Sequence, residues 1–238
     1  MTEFIALGEN CLPDDVLSSL NKKGETYPFG NGRFNIEYLT EIIRTDFVDL
    51  MAEHYLVKGK FEGKEVVRNK LYKHKHDIYS PCVANQFEFT HHNVFEEAPR
   101  RSINRKIQRF KEVLKAKRDV VFVYHYKHSD KINPEKMVEL LDGFLLILKK
   151  KYGRRFKCLL WYQHPASETR KVVLRKERNI LVGEFFTSET WDGDAAWNAP
   201  NDRDLFTDFF EHQQLKKYIH GVQYQLNFGT GRNSQRAV

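Results

Sequence analysis

A chain of 238 residues, 41% hydrophobic and 30% charged, can bury one substantial core, and no Pro/Gly/Ser-rich linker divides it into halves. No apolar run approaches the ~20 residues of a membrane-spanning helix, and the start Met1-Thr2-Glu3 lacks the pattern of a secretory signal, so the cytosol, or a host cytosol, is the expected compartment. The net charge of +7 suits an anionic partner, but the basic residues are scattered through 58–75, 100–118, 149–157 and 170–178 and fall largely on polar helix faces; a solvated surface is the reading, and nucleic acid is not an expected partner.

Phe4-Ile5-Ala6-Leu7 reads as a buried strand that reaches Gly8-Glu9-Asn10-Cys11 and passes straight into a helix over Leu12 to Leu20. A thiol at such a turn sits by the unpaired, partially positive N–H groups of the helix start, which stabilise a thiolate or a bound anion. The alternative is a small buried residue packed under the helix. Tyr27 to Gly32 is rich in turn formers, and Asn35 caps a helix carrying Ile36, Leu39, Ile42 and Ile43 on one face. Residues 57–85 form a polar, basic insertion with a hairpin pattern through Phe61 to Val67. Phe87-Glu88-Phe89 alternates like a strand and leads into His91-His92. If that strand continues, the two imidazoles point to opposite sides, so at most one faces Cys11.

Ser102 is placed to cap a helix bearing Ile103, Ile107, Phe110 and Leu114, followed by the strand Val120 to Val123. Asn133-Pro134 opens a helix whose apolar face is Met137, Leu140, Leu141, Phe144, Leu145 and Leu148, ending near Gly153, and Lys157 to Tyr162 is the next strand. Lys171 to Leu174 and Ile180 to Phe186 are strands around the charged turn 175–178, Leu205 to Tyr218 is a closing helix, and 229–238 is a loose tail. The alternation predicts an α/β fold: one three-layer domain over 1–228 with a mostly parallel sheet, Rossmann-like or esterase-like, and the basic insertion.

Ligands of an open parallel sheet sit beyond the carboxyl ends of its strands. Here those positions are Asn10 and Cys11, then His125, His128 and Asp130, then Gln163 and His164. With Gly8 and Glu9 beside the thiol, Phe29 in the turn and Trp191 as a stacking aromatic, they are the candidates for binding substrate. A thiol nucleophile needs a base within hydrogen-bond reach, and His91 and His92 are the candidates. Cys11, Cys82 and Cys158 are an odd number without CxxC spacing, which argues against disulfides and structural zinc; Cys158 reads as core. Neither His91/His92 nor His125/His128 has the i, i+4 spacing of a helical zinc site, and no cofactor or metal is expected. The Asp-x-Asp element of Asp192 and Asp194 reads first as an ordinary acidic turn, with Asp202 and Asp204 nearby, and only second as a cation site. It supports the alternative of a glycosyltransferase holding Mn or Mg against a nucleotide-sugar. A non-catalytic module for an anionic partner is a third possibility.

Ala6-Leu7-Gly8-Glu9-Asn10-Cys11, then Tyr27-Pro28-Phe29, His91-His92 and the stretch from Arg100-Arg101 to Arg109-Phe110 together resemble a bacterial and viral family described as putative papain-like cysteine peptidases (DUF1796). The likeness spans roughly the first two thirds of the chain. It implies Cys11 as nucleophile, His91 or His92 as base, and Asn10 as an oxyanion or orienting group. Members often show Pro-Phe-Asp-Trp where this chain has Pro28-Phe29-Gly30-Asn31. The leading expectation is a thiol-dependent hydrolase or acyl transferase for a small-molecule, peptide or glycan substrate, with helix-start N–H groups holding the oxyanion.

Overall fold

The computed structural model describes residues 2–30, 32–81, 87–191 and 202–220. Strand β1 (Glu3–Gly8) is buried at nearly every position, a pattern that requires cover on both faces. Helix α1 (Leu12–Ser19) follows at once, and α2 (Ile36–Arg44) begins at Asn35, whose side chain accepts from the Tyr38 N–H at 3.0 Å. Strands β2 (Leu56–Phe61), β3 (Lys64–Asn69) and β4 (Phe87–Phe89) form a separate antiparallel sheet. The predicted insertion is therefore a hairpin that pairs onward to β4. Its turn, Glu62-Gly63, has positive φ at both residues (48° and 78°), the geometry of a tight hairpin.

Helix α3 (Glu97–Lys115) starts at Glu96 rather than at Ser102. The added turn is held by tertiary contacts: Arg100 Nε donates to the Val94 carbonyl at 3.1 Å and Nη2 to that of Met51 at 2.8 Å. Then come β5 (Val120–Tyr126), α4 (Pro134–Tyr152), β6 (Lys157–His164), β7 (Lys171–Glu177) and β8 (Ile180–Phe186). Asn133 caps α4 by accepting from the Lys136 N–H at 3.0 Å, and Gly153 ends it in the left-handed conformation. The β7 strand runs beyond Leu174, so the turn to β8 is Arg178-Asn179, not 175–178. The closing helix is two, α5 (Arg203–Glu211) and α6 (Gln213–His220), broken where His212 takes an extended conformation. The tail at 229–238 lies outside the described residues.

The main sheet has the order β1-β5-β6-β8-β7, parallel except for the antiparallel edge strand β7. Side chains alternate between two cores. On one face Ile5, Phe122, Tyr124 and Leu160 pack with α2, α3 and α4; on the other Ala6, Val123, Leu159 and Trp161 pack with α1, α5 and α6. This is the expected three-layer α/β arrangement. Its consequence for function lies between β1 and β5. The chain leaves β1 toward one face, into α1, and leaves its neighbour β5 toward the other, into α4. Such a switch point opens a crevice beyond the strand ends.

Candidate active site

Gly8 is the last residue of β1 and lies opposite His125 with φ +141°. A side chain there would be strained, and its Cβ would stand 3.2 Å from the His125 backbone N and O. Glycine thus lets β1 finish hard against β5 before Glu9 and Asn10 turn the chain. Cys11 is the N-cap residue of α1, and its carbonyl accepts from the Asp14 and Asp15 N–H groups at 3.0 and 3.1 Å. The Leu12 N–H donates to Asn10 Oδ1 at 3.2 Å, and Pro13 has none to give. These first-turn donors are engaged, which corrects the expectation that helix-start N–H groups beyond Cys11 hold an oxyanion.

The small sheet supplies the imidazole. Glu88, in the middle of β4, is 2% exposed and is held by Arg68 Nε at 2.8 Å, while its backbone exchanges hydrogen bonds with Arg33. Thr90 Oγ1 donates to Glu88 Oε1 at 3.1 Å, fixing the exit from the strand. His91 then brings Nε2 to 3.6 Å from Cys11 Sγ. His92 takes a hydrogen bond from Lys106 Nζ at 3.2 Å. Burial, reinforced by the Lys106 charge, lowers its pKa and keeps it a neutral acceptor. One histidine of the pair meets Cys11, but not by strand alternation: β4 ends at Phe89, and His91 reaches the thiol from the turn that follows.

Asn10 and Glu9 turn to opposite sides. Asn10 Oδ1 lies 3.1 Å from Nδ1 of His125, a fully buried ring flanked by Trp161 and Trp191 at centroid distances of 6.1 and 6.3 Å. Burial pushes the His125 pKa down to about 3, so the ring is neutral. Glu9 is fully buried and accepts from the Tyr124 hydroxyl at 3.1 Å; burial outweighs that bond and pushes its carboxyl up to about 8.

The other candidates spread out. His128 is half-buried just beyond β5, its Nδ1 buried without a hydrogen-bond partner, and Asp130 is exposed. Phe29 is core, in contact with Phe34, Phe47 and Phe110. His164 stacks on Phe186 at 4.7 Å and lies 3.3 Å from Glu184, on a strand not adjacent to β1. Trp191 is fully buried against Phe206, with Nε1 donating to Asp202 at 2.9 Å, and its backbone N–H donates to Gln163. A stacking face for substrate is therefore absent at both Phe29 and Trp191. Asp192 and Asp194 lie outside the described residues, as does Cys82. Cys158 is fully buried, and burial raises its thiol pKa. Among the described residues no group of three His, Cys, Asp or Glu side chains could hold a metal ion, and no helix is long and apolar enough to cross a membrane.

Sequence reasoning missed Glu88 and Lys106. Lys106 stands three residues after Ile103 and four before Phe110, so helical spacing puts it beside the apolar stripe, and that signal was legible. Glu88 offered none, because an acidic residue in a short alternating strand ordinarily faces water.

No curated protein and no solved structure matches this chain. A family profile described as putative papain-like cysteine peptidase (DUF1796) matches residues 2–173, well over half of the sequence. That span contains the thiol, the facing imidazole and the buried Asn10–His125 pair, and the chain belongs to this family.

Proposed function

We propose that the protein is a cysteine-dependent hydrolase or acyl transferase in which Cys11 is the nucleophile and His91 the general base. The observation that carries this reading is the 3.6 Å approach of Cys11 Sγ and His91 Nε2 at the carboxyl edge of a parallel sheet. The distance fits a thiol–imidazole hydrogen bond in an enzyme without substrate. His91 takes the thiol proton, sulfur forms a bond to the substrate carbonyl carbon, and the C=O electron pair moves to oxygen. As the tetrahedral oxyanion collapses, the imidazolium gives its proton to the leaving group and the thioester remains. Water, or an acceptor nucleophile, then attacks the thioester with His91 again taking the proton, and the thiol is restored. Neither step calls for a metal or cofactor. Asn10 supplies the side-chain donor for the oxyanion: its Nδ2 is buried and has no hydrogen-bond partner. The substrate is an acyl compound, peptide or small ester.

The test pairs p-nitrophenyl acetate turnover with iodoacetamide labelling, read by mass spectrometry. Wild-type protein should be alkylated fastest at Cys11, and Cys11→Ala should lose turnover while keeping its melting temperature. A folded Cys11→Ala variant with wild-type turnover would sink the covalent reading.

A further inference from the structure

We infer that His125 is a positioning residue which fixes the Asn10 amide in the one orientation that leaves its N–H₂ group available to an oxyanion. The inference rests on the covalent reading above.

The two ends of an asparagine amide have nearly the same shape, so its orientation follows from the partners. A backbone N–H can only donate. The Leu12 N–H, 3.2 Å away, therefore faces oxygen, and Oδ1 is identified. His125 Nδ1 lies 3.1 Å from that same oxygen and must carry a proton to meet it. The ring, being neutral, then holds its lone pair on Nε2, which is buried and unpartnered. Two donors saturate Oδ1, one from the backbone of α1 and one from β5.

What remains of Asn10 is Nδ2, buried, with no partner, in a residue 8% exposed. An unsatisfied buried donor is costly, and it is usefully kept where an acceptor arrives during the reaction. The residue stands two positions after the close β1–β5 approach at Gly8 and directly precedes the nucleophile. His125 is itself immobilised, since Trp161 and Trp191 flank the ring and the residue is wholly buried. Its Nδ1 is committed to Asn10, and the thiol is met by His91, so His125 is not the general base.

The experiment uses the full chain with p-nitrophenyl acetate as acyl probe and iodoacetamide as thiol probe. Alkylation by iodoacetamide builds no oxyanion, so it reports the thiol alone. Asn10→Ala should lower kcat about 100-fold and His125→Phe about 10-fold, with KM little changed, while both keep the alkylation rate within about twofold. The double variant should match Asn10→Ala, since His125 acts only through Asn10. His125→Gln, which can present an amide N–H to Oδ1, should recover most of the loss. In the wild type, ¹⁵N shifts of His125 should show the Nδ1-protonated tautomer. Multiplying losses in the double variant, an equal fall in alkylation, or an Nε2-protonated ring would each overturn the inference. The tautomer measurement decides it even if His125→Phe does not fold. Full turnover by Cys11→Ala overturns the covalent reading instead, and leaves the Asn10–His125 link to the tautomer measurement.

Discussion

Replacing Glu9 by Gln should remove the alkaline limb of the stability profile. Burial holds the Glu9 carboxyl near pKa 8 against an ordinary 4.5, so the folded state keeps a proton that the unfolded chain releases. The stability this provides is complete below pH 4.5 and is lost as pH rises through about 8. At ~1.4 kcal/mol for each factor of ten in proton affinity, the loss totals about 5 kcal/mol. His125 works in the opposite sense. Its imidazole falls from 6.5 to about 3, so its contribution is complete above 6.5 and lost as pH drops toward 3, again by about 5 kcal/mol. Between pH 4.5 and 6.5 the two slopes cancel. Below that window His125 alone, and above it Glu9 alone, each removes about 2 kcal/mol. Urea unfolding from about pH 3 to 9 measures this. Gln cannot ionise, so the stability of Glu9→Gln relative to wild type should climb by about 5 kcal/mol from pH 4.5 to 8 and then level off. A difference that stays flat over that range would mean that the carboxylate is solvated, and would refute the buried placement of Glu9.

His91→Asn should cut turnover at least about 100-fold through loss of the base. It should also slow Cys11 alkylation at neutral pH by about fivefold, because a unit charge ~4 Å away in a water-like setting contributes about 1 kcal/mol; unchanged rates in both assays would contradict the dyad. Gly8→Ala forces an L side chain to φ +141° against the His125 backbone, so thermal unfolding should show a loss of about 1–3 kcal/mol and turnover should fall with it. Asn35→Ala removes the cap of α2, and should cost at least about 1 kcal/mol in urea unfolding with turnover intact.

The strands were legible because β1, β5 and β6 are covered on both faces, so their apolar runs carry no competing polar alternation. The caps at Asn35 and Asn133 were legible because each side chain satisfies an N–H only three residues away. The start of α3 was not, since its first turn exposes no apolar face and is held by Arg100 reaching the carbonyls of Val94 and Met51. The break at His212 was hidden for a related reason: Leu205, Phe206, Phe209 and Phe210 and then Leu215 and Ile219 all serve one core, so the apolar pattern continues across two helices. At the site, the thiol's place at the end of β1 could be read from local spacing; the alternation expected of His91 and His92 could not apply, because β4 ends at Phe89. Which imidazole faces the thiol depended on Lys106 claiming the other, and the engagement of the first-turn N–H groups depended on Pro13 and on the Asn10 side chain. Those are facts of packing, which spacing does not carry.

Nucleophile and base come from different sheets: Cys11 from the β1–α1 turn of the main sheet, and His91 from a three-residue strand whose exit is set by Glu88 with Arg68 and Thr90. The geometry of the pair therefore depends on how the small sheet docks on the core it shares with the main one. Only the outward positions of the β2–β3 hairpin are free to vary without disturbing that docking, since Leu56, Val67, Phe87 and Phe89 are buried in the same core as Ile5 and Phe122. Selection for a new acyl substrate thus has a narrow region in which to work without first eroding the scaffold.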